Sequence, residues 1–551
     1  MKKLAKHVLL ALVGLLPVLY LPGCQQIDIV ESTTSDVNLY SYLKTRPDTF
    51  SEFTAILDKA GYEGFLDAYG AYTLFVPTNT GVQAYLKTTN KTVAQLSKEE
   101  AQNVAKIHII RDTLTTKSFK DGKLPLVTMY GQYLLGGVTF ANGSSSYSLN
   151  RQALVLESNI TTSNGILHVI DNVLKPATLT LAGMLEKDPA FSIFTEAIKQ
   201  TGYYDSLNTV VADPEKRWTT VLAESNAALG KAGFTSFDAL KKRYNNTGNA
   251  RNKADSLNLY VAYHLLPGIK YLADIISSNS HPTKVSLEVV TAKLDGQTVL
   301  INDDEFNGIR EQGVELNRLM SDNSATNGVL HTTTGHFVSK VRKPAPVFWD
   351  VADFPEIRKL PAYYGKRNYD FIYGAVKDIT WERSTFNLTY AYTTSGTFGV
   401  AKNDYLAIPL GAPNRSVWVD FKTPMLVKGR YKVWICYRTQ KQSGGSINIC
   451  QGSVDGETLP RPMVFTDGAP AGSEGELEAL GWKLYVDPGT DRNSAGRLLG
   501  IVDIKTTDRH TLRLTNIQGT QNNNNLDMVH FIPIDAPQTR PRFDRAGNKV
   551  L

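Results

Sequence analysis

The sequence repeats itself between residues 36 and 344. Five short matches occur in the same order in the two halves. The first pairs Phe-Ser-Glu-Phe-Thr at 50–54 with Phe-Ser-Ile-Phe-Thr at 191–195, and the last pairs Asn-Gly-Ile-Leu-His at 164–168 with Asn-Gly-Val-Leu-His at 327–331. Five matches in one order indicate a duplication. Because the spacing is far above the 20–50 residues of a solenoid repeat, each copy is expected to fold around its own core.

The pattern within each copy mixes helices and strands. Apolar residues at three- to four-residue steps from 39 to 57 predict amphipathic helix that ends at Gly61, and Ser97 with Glu100 predicts a capping box at the start of another helix. Short β-rich runs at 73–76 and 166–174 predict strands. Without a regular βαβ alternation, this mixture predicts an α+β fold for each copy.

The repeated motifs resemble those of the fasciclin domain. The aromatic-led strand at 72–79 is similar to the first signature of that family, and the stretch 165–174 is similar to the second. The positions that match the family's histidine-containing elements are His108, His168, Tyr263 and His264. The resemblance implies two α+β domains, each a β-wedge with helices, which serve adhesion and are not enzymes. The second copy departs from the pattern where Pro77 is replaced by Glu224.

The histidines allow two interpretations. His108 and His264 end apolar helices, and His168 and His331 lie in apolar strands, so a structural hydrogen-bonding role is the simpler one. His331 and His336 would ligate a metal only if the loop between them folded back.

The first residues predict an export signal and a lipid anchor. Three lysines within the first six residues precede an apolar stretch of about fourteen residues, which is shorter than a membrane span. Leu-Pro-Gly-Cys at 21–24 resembles a bacterial lipobox. The resemblance implies a signal peptide at 1–23, acylation of Cys24 and a tether at 24–35, and the acidic residues after Cys24 resemble the export signal of Bacteroidetes outer-membrane lipoproteins.

A third module is predicted for residues 345–540, followed by a tail at 541–551. A proline-marked linker at 343–346 precedes it, and the helical periodicity then gives way to about eight short β-rich runs separated by turn residues. This pattern predicts an all-β sandwich or jelly roll. The module resembles galactose-binding-type jelly rolls, including carbohydrate-binding modules, so the predicted chain is two α+β fasciclin domains followed by a jelly-roll sandwich.

If that resemblance holds, aromatic rings are expected to stack on sugars while amides reach their hydroxyls. The candidates for ring stacking are Trp381, Tyr392 and Tyr437. The candidates for amide contacts are Asn522, Asn523 and Asn525, which belong to an asparagine run just before the last predicted strand. The alternative for that run is a solvated turn.

Cys436 and Cys450 flank the polar turn at 441–446 and are expected to lie cross-strand, either as a disulfide or as two free thiols. Apart from a structural Ca²⁺ that Asp527 and Glu382 would hold as in related jelly rolls, no cofactor is expected.

Composition and motifs argue against several functions. The net charge of +6 falls to +3 without the three N-terminal lysines, too little to indicate nucleic-acid binding. The sequence contains no nucleophile elbow, zinc-protease motif or phosphate-binding loop, so no enzyme is predicted.

Two functional hypotheses follow. The first is a surface-exposed outer-membrane lipoprotein that binds a polysaccharide or oligosaccharide for a Sus-type (starch-utilisation-like) transporter. The second is an adhesin or scaffold in which the fasciclin domains bind protein.

Overall fold

The computed structural model describes residues 37–141, 144–213, 215–306, 308–394, 399–411, 415–440, 447–519 and 524–551. They form two compact units. The first contains the described residues through Ser118 together with Leu126–Gly131 and Ala141–Leu174. The second contains Phe119–Pro125, Gln132–Phe140 and Lys175–Leu551. The signal peptide, the tether and Cys24 lie outside the described residues.

The first repeat mixes helices and strands without a regular alternation, as predicted. Its elements are α1 (Leu39–Lys44), α2 (Pro47–Ala60), α3 (Glu63–Asp67), β1 (Tyr72–Pro77), α4 (Asn79–Thr89), α5 (Lys98–Ile107), β2 (Ile109–Ile110), β3 (Gly122–Val127), β4 (Tyr133–Ala141), β5 (Ser144–Leu149), β6 (Ala153–Thr162) and β7 (Gly165–Ile170). Pro47 starts α2, so the predicted first helix is two helices, and Gly61 ends the second with a left-handed φ of 75°. The Ser97–Glu100 capping box is present on α5.

Strand β1 runs parallel to β7 and antiparallel to β2, and β6 lies on the other side of β7. The helices cover this sheet through a core that includes Phe50, Phe53 and Leu74. Segments 119–125 and 132–140, which contain most of β3 and β4, belong to the second unit. There Lys123 Nζ lies 2.7 Å from Asp274 Oδ1.

The second repeat reproduces this plan. Its elements are α6 (Leu181–Lys187), α7 (Ser192–Thr201), α8 (Tyr204–Asn208), β8 (Thr219–Glu224), α9 (Asn226–Lys231), α10 (Phe237–Tyr244), α11 (Ser256–Tyr263), β9 (Leu265–Pro267), α12 (Leu272–Ser277), β10 (Ser280–Pro282), β11 (Val289–Asp295), β12 (Thr298–Ile301), β13 (Asp304–Phe306), β14 (Ile309–Glu311), β15 (Val314–Leu316), β16 (Asn323–Ala325) and β17 (Gly328–Thr333). Strand β8 pairs parallel with β17, as β1 does with β7.

The repeated Asn-Gly pair has a structural cause. Asn164 accepts a bond from the Leu39 N–H and donates to the Leu66 carbonyl, and Asn327 makes the equivalent bonds to Leu181 and Leu207 at 2.8–2.9 Å. The next residue must be glycine, because a Cβ on Gly165 would lie 2.3 Å from the Tyr72 carbonyl oxygen, and one on Gly328 1.9 Å from that of Thr219.

The third module is a sandwich of two sheets. Its elements are β18 (Val347–Asp350), α13 (Pro355–Arg358), β19 (Tyr369–Phe371), β20 (Ile379–Trp381), β21 (Leu388–Tyr392), β22 (Asp404–Ala407), β23 (Trp418–Leu426), β24 (Gly429–Arg438), β25 (Ile449–Val454), β26 (Glu457–Thr458), β27 (Met463–Val464), α14 (Glu474–Ala479), β28 (Trp482–Leu484), β29 (Ser494–Ile504), β30 (Asp508–Gln518), β31 (Asn525–Pro533), β32 (Arg542–Phe543) and β33 (Lys549–Val550). The eight predicted strands correspond to β21–β25 and β29–β31.

One sheet has the order β19-β21-β22-β31-β24-β29-β28 with β18 beside β31, and the other has the order β20-β23-β30-β25-β26 with β27 beside β25. Alternate residues of both sheets, such as Val433 and Phe421, fill the space between them. This confirms a β-sandwich. Within the part of the chain that the structure describes, no helix is long and apolar enough to cross a bilayer.

Candidate functional site

The family histidines of the first fasciclin-like repeat are buried and support the backbone. His108 Nδ1 lies 2.7 Å from the Val104 carbonyl oxygen, so it carries the proton, and Nε2 accepts a bond from the Leu174 N–H. Burial lowers the pKa of His108 to about 4, which keeps the ring neutral. His168 Nε2 lies 2.9 Å from the Leu114 carbonyl oxygen. Both histidines therefore have the structural role.

In the second repeat, His331 Nε2 likewise lies 2.7 Å from a carbonyl oxygen, that of Lys270. Tyr263 is also buried, and its hydroxyl donates to the Val289 carbonyl. Because its side chain is buried, Tyr263 is not available for contact with a partner protein.

His264 differs from its counterpart because Glu224 faces it. Nδ1 lies 2.8 Å from the Tyr260 carbonyl oxygen and Nε2 lies 2.8 Å from Glu224 Oε1, so both ring nitrogens face acceptors. With Glu224 in the place of Pro77, His264 Nε2 meets a buried carboxylate, whereas His108 Nε2 meets a backbone N–H.

Glu224 is fully buried and accepts four hydrogen bonds. The other three come from the Tyr260 hydroxyl, His336 Nδ1 and the Phe337 N–H at 2.8–2.9 Å. Burial by itself would raise the pKa of Glu224, but the His264 and His336 rings outweigh it and hold the pKa at about 2. His336 binds Glu224 and His331 binds Lys270, so these two histidines do not converge on a metal.

The structure corrects two of the predicted sugar-stacking residues. Trp381 and Tyr437 have 0% exposure and lie in the core between the sheets. Trp381 Nε1 donates to the Phe386 carbonyl, and the Tyr437 hydroxyl donates to the Asp467 carbonyl. Neither ring presents a face to a ligand, because each points to the inner side of its sheet.

Tyr392 is half-buried at the end of β21, so part of its ring is accessible. Asn525 is 2% exposed and donates from Nδ2 to Gln440 Oε1. Asn522 and Asn523 lie outside the described residues.

The two cysteines do not lie cross-strand. Cys436 is on β24 of one sheet and Cys450 is on β25 of the other, and both are buried free thiols. Burial raises the pKa of Cys436 to about 12 and that of Cys450 further. The chain therefore passes from one sheet to the other between the two cysteines. Their symmetric spacing around residues 441–446 did not indicate this. The disulfide alternative is therefore wrong.

Asp527 and Glu382 do not form a calcium site. Asp527 is buried and accepts bonds from the Ala401 N–H and the Tyr485 hydroxyl, while Glu382 is exposed beyond β20 of the other sheet and accepts from the Val417 N–H. Burial, and then the neighbouring Asp350 carboxylate, raise the pKa of Asp527 well above its ordinary value. Among the described residues, no group of three or more potential ligands is placed to hold a metal.

A group of tyrosines that the sequence analysis did not select lies at one edge of the sandwich. Tyr363, Tyr364, Tyr369 and Tyr392, here called the aromatic rim, are all half-buried and pack against the core. Tyr369 pairs with Tyr390, which places it on the same face of the sheet as Tyr392. The ring centroids of Tyr363 and Tyr369 lie 4.7 Å apart in a T-shaped contact.

Polar groups accompany the aromatic rim. Asn368 is exposed, and its Oδ1 accepts from the Tyr392 N–H at 2.8 Å, while the Arg367 guanidinium lies 5.8 Å from the centre of the Tyr363 ring. Half-exposed rings beside an amide and a guanidinium offer both the apolar and the hydrogen-bonding contacts that a saccharide needs. The sequence signal was the aromatic density of 363–373, with four tyrosines and one phenylalanine in eleven residues.

Comparisons with known proteins identify the repeats. The fasciclin domain model matches residues 48–176 and 189–334. Human periostin is 29% identical over 143 residues, which are 26% of this chain, and the match spans only 16% of periostin.

Among solved structures, the FAS1 domain pair of the insect cell adhesion molecule Fasciclin I covers 54% of this chain and 96% of its own at 17% identity, with a TM-score of 0.23. A family 35 carbohydrate-binding module from Clostridium thermocellum covers 34% of this chain and 98% of its own at 10% identity, with a TM-score of 0.18. The chain thus carries two fasciclin domains, at 48–176 and 189–334, followed by a β-sandwich domain.

Proposed function

We propose that this chain is a non-catalytic, lipid-anchored binding protein of the bacterial outer-membrane surface, whose sandwich binds a polysaccharide or oligosaccharide for a Sus-type transporter. The observation that carries the glycan part is the aromatic rim with exposed Asn368 and Arg367 beside it. Apolar C–H faces of a sugar would contact the half-exposed rings, and its hydroxyls would meet the amide and the guanidinium.

Calorimetry of the full chain against a panel of neutral and acidic polysaccharides tests the glycan proposal. We expect Tyr363→Ala and Tyr392→Ala to weaken binding of any polysaccharide that binds by at least tenfold. Tyr69→Ala is the matched control, because Tyr69 is fully exposed on the first fasciclin domain and should leave binding unchanged. Absence of binding across the panel, or equal affinities for all variants, would contradict the proposal.

The anchoring part of the proposal rests on the lipobox-like residues before Cys24. We expect the wild-type chain to fractionate with outer membranes and to be digested by protease added to intact cells. Cys24→Ser should release it from the membrane fraction, because one thiol carries the attachment. Membrane association of the Cys24→Ser variant would contradict a lipid anchor at this position.

An adhesin or scaffold is the second candidate, and a feature of the second fasciclin domain favours it. Leu319 is 91% exposed and adjoins Met320, which is 42% exposed. Adjacent exposed apolar residues are typical of protein contact sites. The adhesin hypothesis predicts that a surface protein co-purifies with the wild-type chain but not with Leu319→Ser. This result, together with no polysaccharide binding in calorimetry, would favour the adhesin over the glycan-binding protein.

A further inference from the structure

A cavity of about 650 Å³ lies on the face of the larger sheet that points away from the core. Lys432 projects into it from β24, because it alternates with the inward-facing Tyr431 and Val433. The rest of the lining comes from β29, α14 and the segment before β27, and includes Pro460, Arg461, Glu478, Leu498 and Ile501. The volume lies within the range of small-molecule sites.

A β-bulge shapes the cavity. The register between β24 and β29 shifts at Val433 and Trp434, leaving Leu499 as the extra residue. The Arg461 N–H donates to the Leu499 carbonyl, and the Leu498 N–H donates to the Gly481 carbonyl. The segments around Arg461 and Gly481 are therefore each held to β29 by a backbone hydrogen bond.

Two arginines approach Gly481 beside this cavity, and of the two Arg461 belongs to the lining. Arg461 Nη1 and Arg497 Nη1 lie 2.1 and 3.3 Å from the point where a Cβ on Gly481 would stand. Arg497 pairs with the inward-facing Ile435, so it lies on the opposite face of the sheet from Lys432. Arg497 is held by bonds from Nη1 to the Leu480 and Gly481 carbonyls, and it stacks 4.8 Å from the Trp482 ring. The pKa of Arg497 is lowered, first by burial and then by the charge of Arg461.

The lining carries more positive than negative charge. Lys432 and Arg461 are its cationic side chains, and Glu478 is its carboxylate. Lys432 lies 3.5 Å from Glu478 Oε1, a weak contact. For Arg461, no carboxylate among the described residues lies within ion-pair distance. The lining therefore favours a negatively charged occupant.

We propose that this cavity binds a small organic anion in which a carboxylate is joined to an apolar body. The Arg461 guanidinium matches the planar geometry of a carboxylate, and Lys432 adds a second positive charge. Pro460, Leu498 and Ile501 receive the apolar part. The site shares no residue with the aromatic rim, so it can be tested separately from the proposed glycan binding.

Calorimetry of the full chain with phenylacetate tests the proposal at low salt, with phenylethanol and inorganic sulfate as comparison ligands. Phenylethanol has the same aromatic group without the negative charge, and sulfate has negative charge without an aromatic group. We expect phenylacetate to bind at least tenfold more tightly than either, and more weakly as salt is added. Equal affinity for either comparison ligand, or no binding of phenylacetate, would overturn the proposal.

Two variants of the cavity should change the affinity for phenylacetate in opposite directions. Arg461→Gln should weaken phenylacetate binding at least tenfold, whereas Glu478→Gln should strengthen it several-fold because it removes the negative charge. A variant that merely fails to fold cannot show the second effect. Lys98→Gln, exposed on the first fasciclin domain, is the charge-matched control and should bind like the wild type. Weaker binding by Glu478→Gln would overturn the proposal.

Discussion

Glu224 Oε1 and His264 Nε2 lie 2.8 Å apart in the interior of the second fasciclin domain, where neither side chain has any exposure. In the first domain the equivalent histidine, His108, meets a backbone N–H instead. The duplication has therefore produced one domain in which this histidine meets a backbone N–H and one in which it meets a buried carboxylate.

Removing the carboxylate of that pair should destabilise the second domain strongly. We expect Glu224→Gln to lower its free energy of unfolding by about 3 kcal/mol, because the amide nitrogen that replaces one carboxylate oxygen cannot accept the hydrogen bonds made there, and buried donors lose their partner. Urea unfolding followed by hydrogen exchange of peptides from β8 and α11 measures the change. Glu99→Gln, on the exposed side of α5, is the control and should change stability by about 0.5 kcal/mol or less. A similar small change for Glu224→Gln would contradict this role of the buried carboxylate.

The buried His108 of the first domain and the buried Glu224 of the second should respond to acid in different pH ranges. His108 has a pKa near 4 when folded and 6.5 ordinarily, so its neutral folded form loses stability as pH falls from about 6.5 to 4. Glu224 has a pKa of about 2 when folded and 4.5 ordinarily, so the stability it contributes is complete above about pH 4.5 and is lost as pH falls towards 2.

Calorimetric unfolding of the full chain at a series of pH values between 7 and 2.5 measures both transitions. Acidification from pH 6.5 to 4.5 should lower the unfolding temperature of the first domain, and Glu224→Gln should reduce the loss that the second domain shows below about pH 4.5, to which Asp303 and Glu311 also contribute. If Glu224→Gln leaves the acid response of the second domain intact, the assignment to Glu224 is wrong.

The thiols of the sandwich should be inert in the folded protein. Burial raises the pKa values of Cys436 and Cys450, and only the thiolate reacts with maleimides. We expect peptide mapping by mass spectrometry to find both cysteines unlabelled in native buffer and fully labelled in denaturant. A disulfide-linked peptide pair, or rapid native labelling, would contradict the placement of these side chains on opposite sheets.

Trp381 should contribute strongly to the stability of the sandwich. Trp381→Ala removes a fully buried ring from between the sheets, which we expect to cost about 3–5 kcal/mol in the unfolding of the sandwich. Tyr373→Ala is the comparison, since Tyr373 is 47% exposed and packs edge-on against Trp381. Similar small losses for the two variants, measured by urea unfolding, would show that the Trp381 ring is not in the core.

Several features of the fold were predictable because local sequence carries them. The helix end at Gly61, the capping box of Ser97 with Glu100 and the repeated Asn-Gly pairs each serve a backbone need within a few residues. The duplication was equally visible in the sequence, since each copy repeats the residues that meet these backbone requirements. Even so, Trp381 and Tyr437, two of the three predicted stacking residues, were misassigned, because an aromatic residue in a strand looks the same whether its side of the sheet is buried or exposed.

The sequence by itself determined that two α+β repeats precede a β-rich module, because periodicity and turn residues act over short distances. Only the tertiary structure decided what the side chains do. Packing of the sheets buried Trp381 and Tyr437, left Tyr363 half-exposed and separated Cys436 from Cys450. Chain topology also brought His336 to Glu224 across 112 residues, and Arg461 beside Arg497 at Gly481. Such contacts depend on how distant elements pack, and no local pattern encodes that.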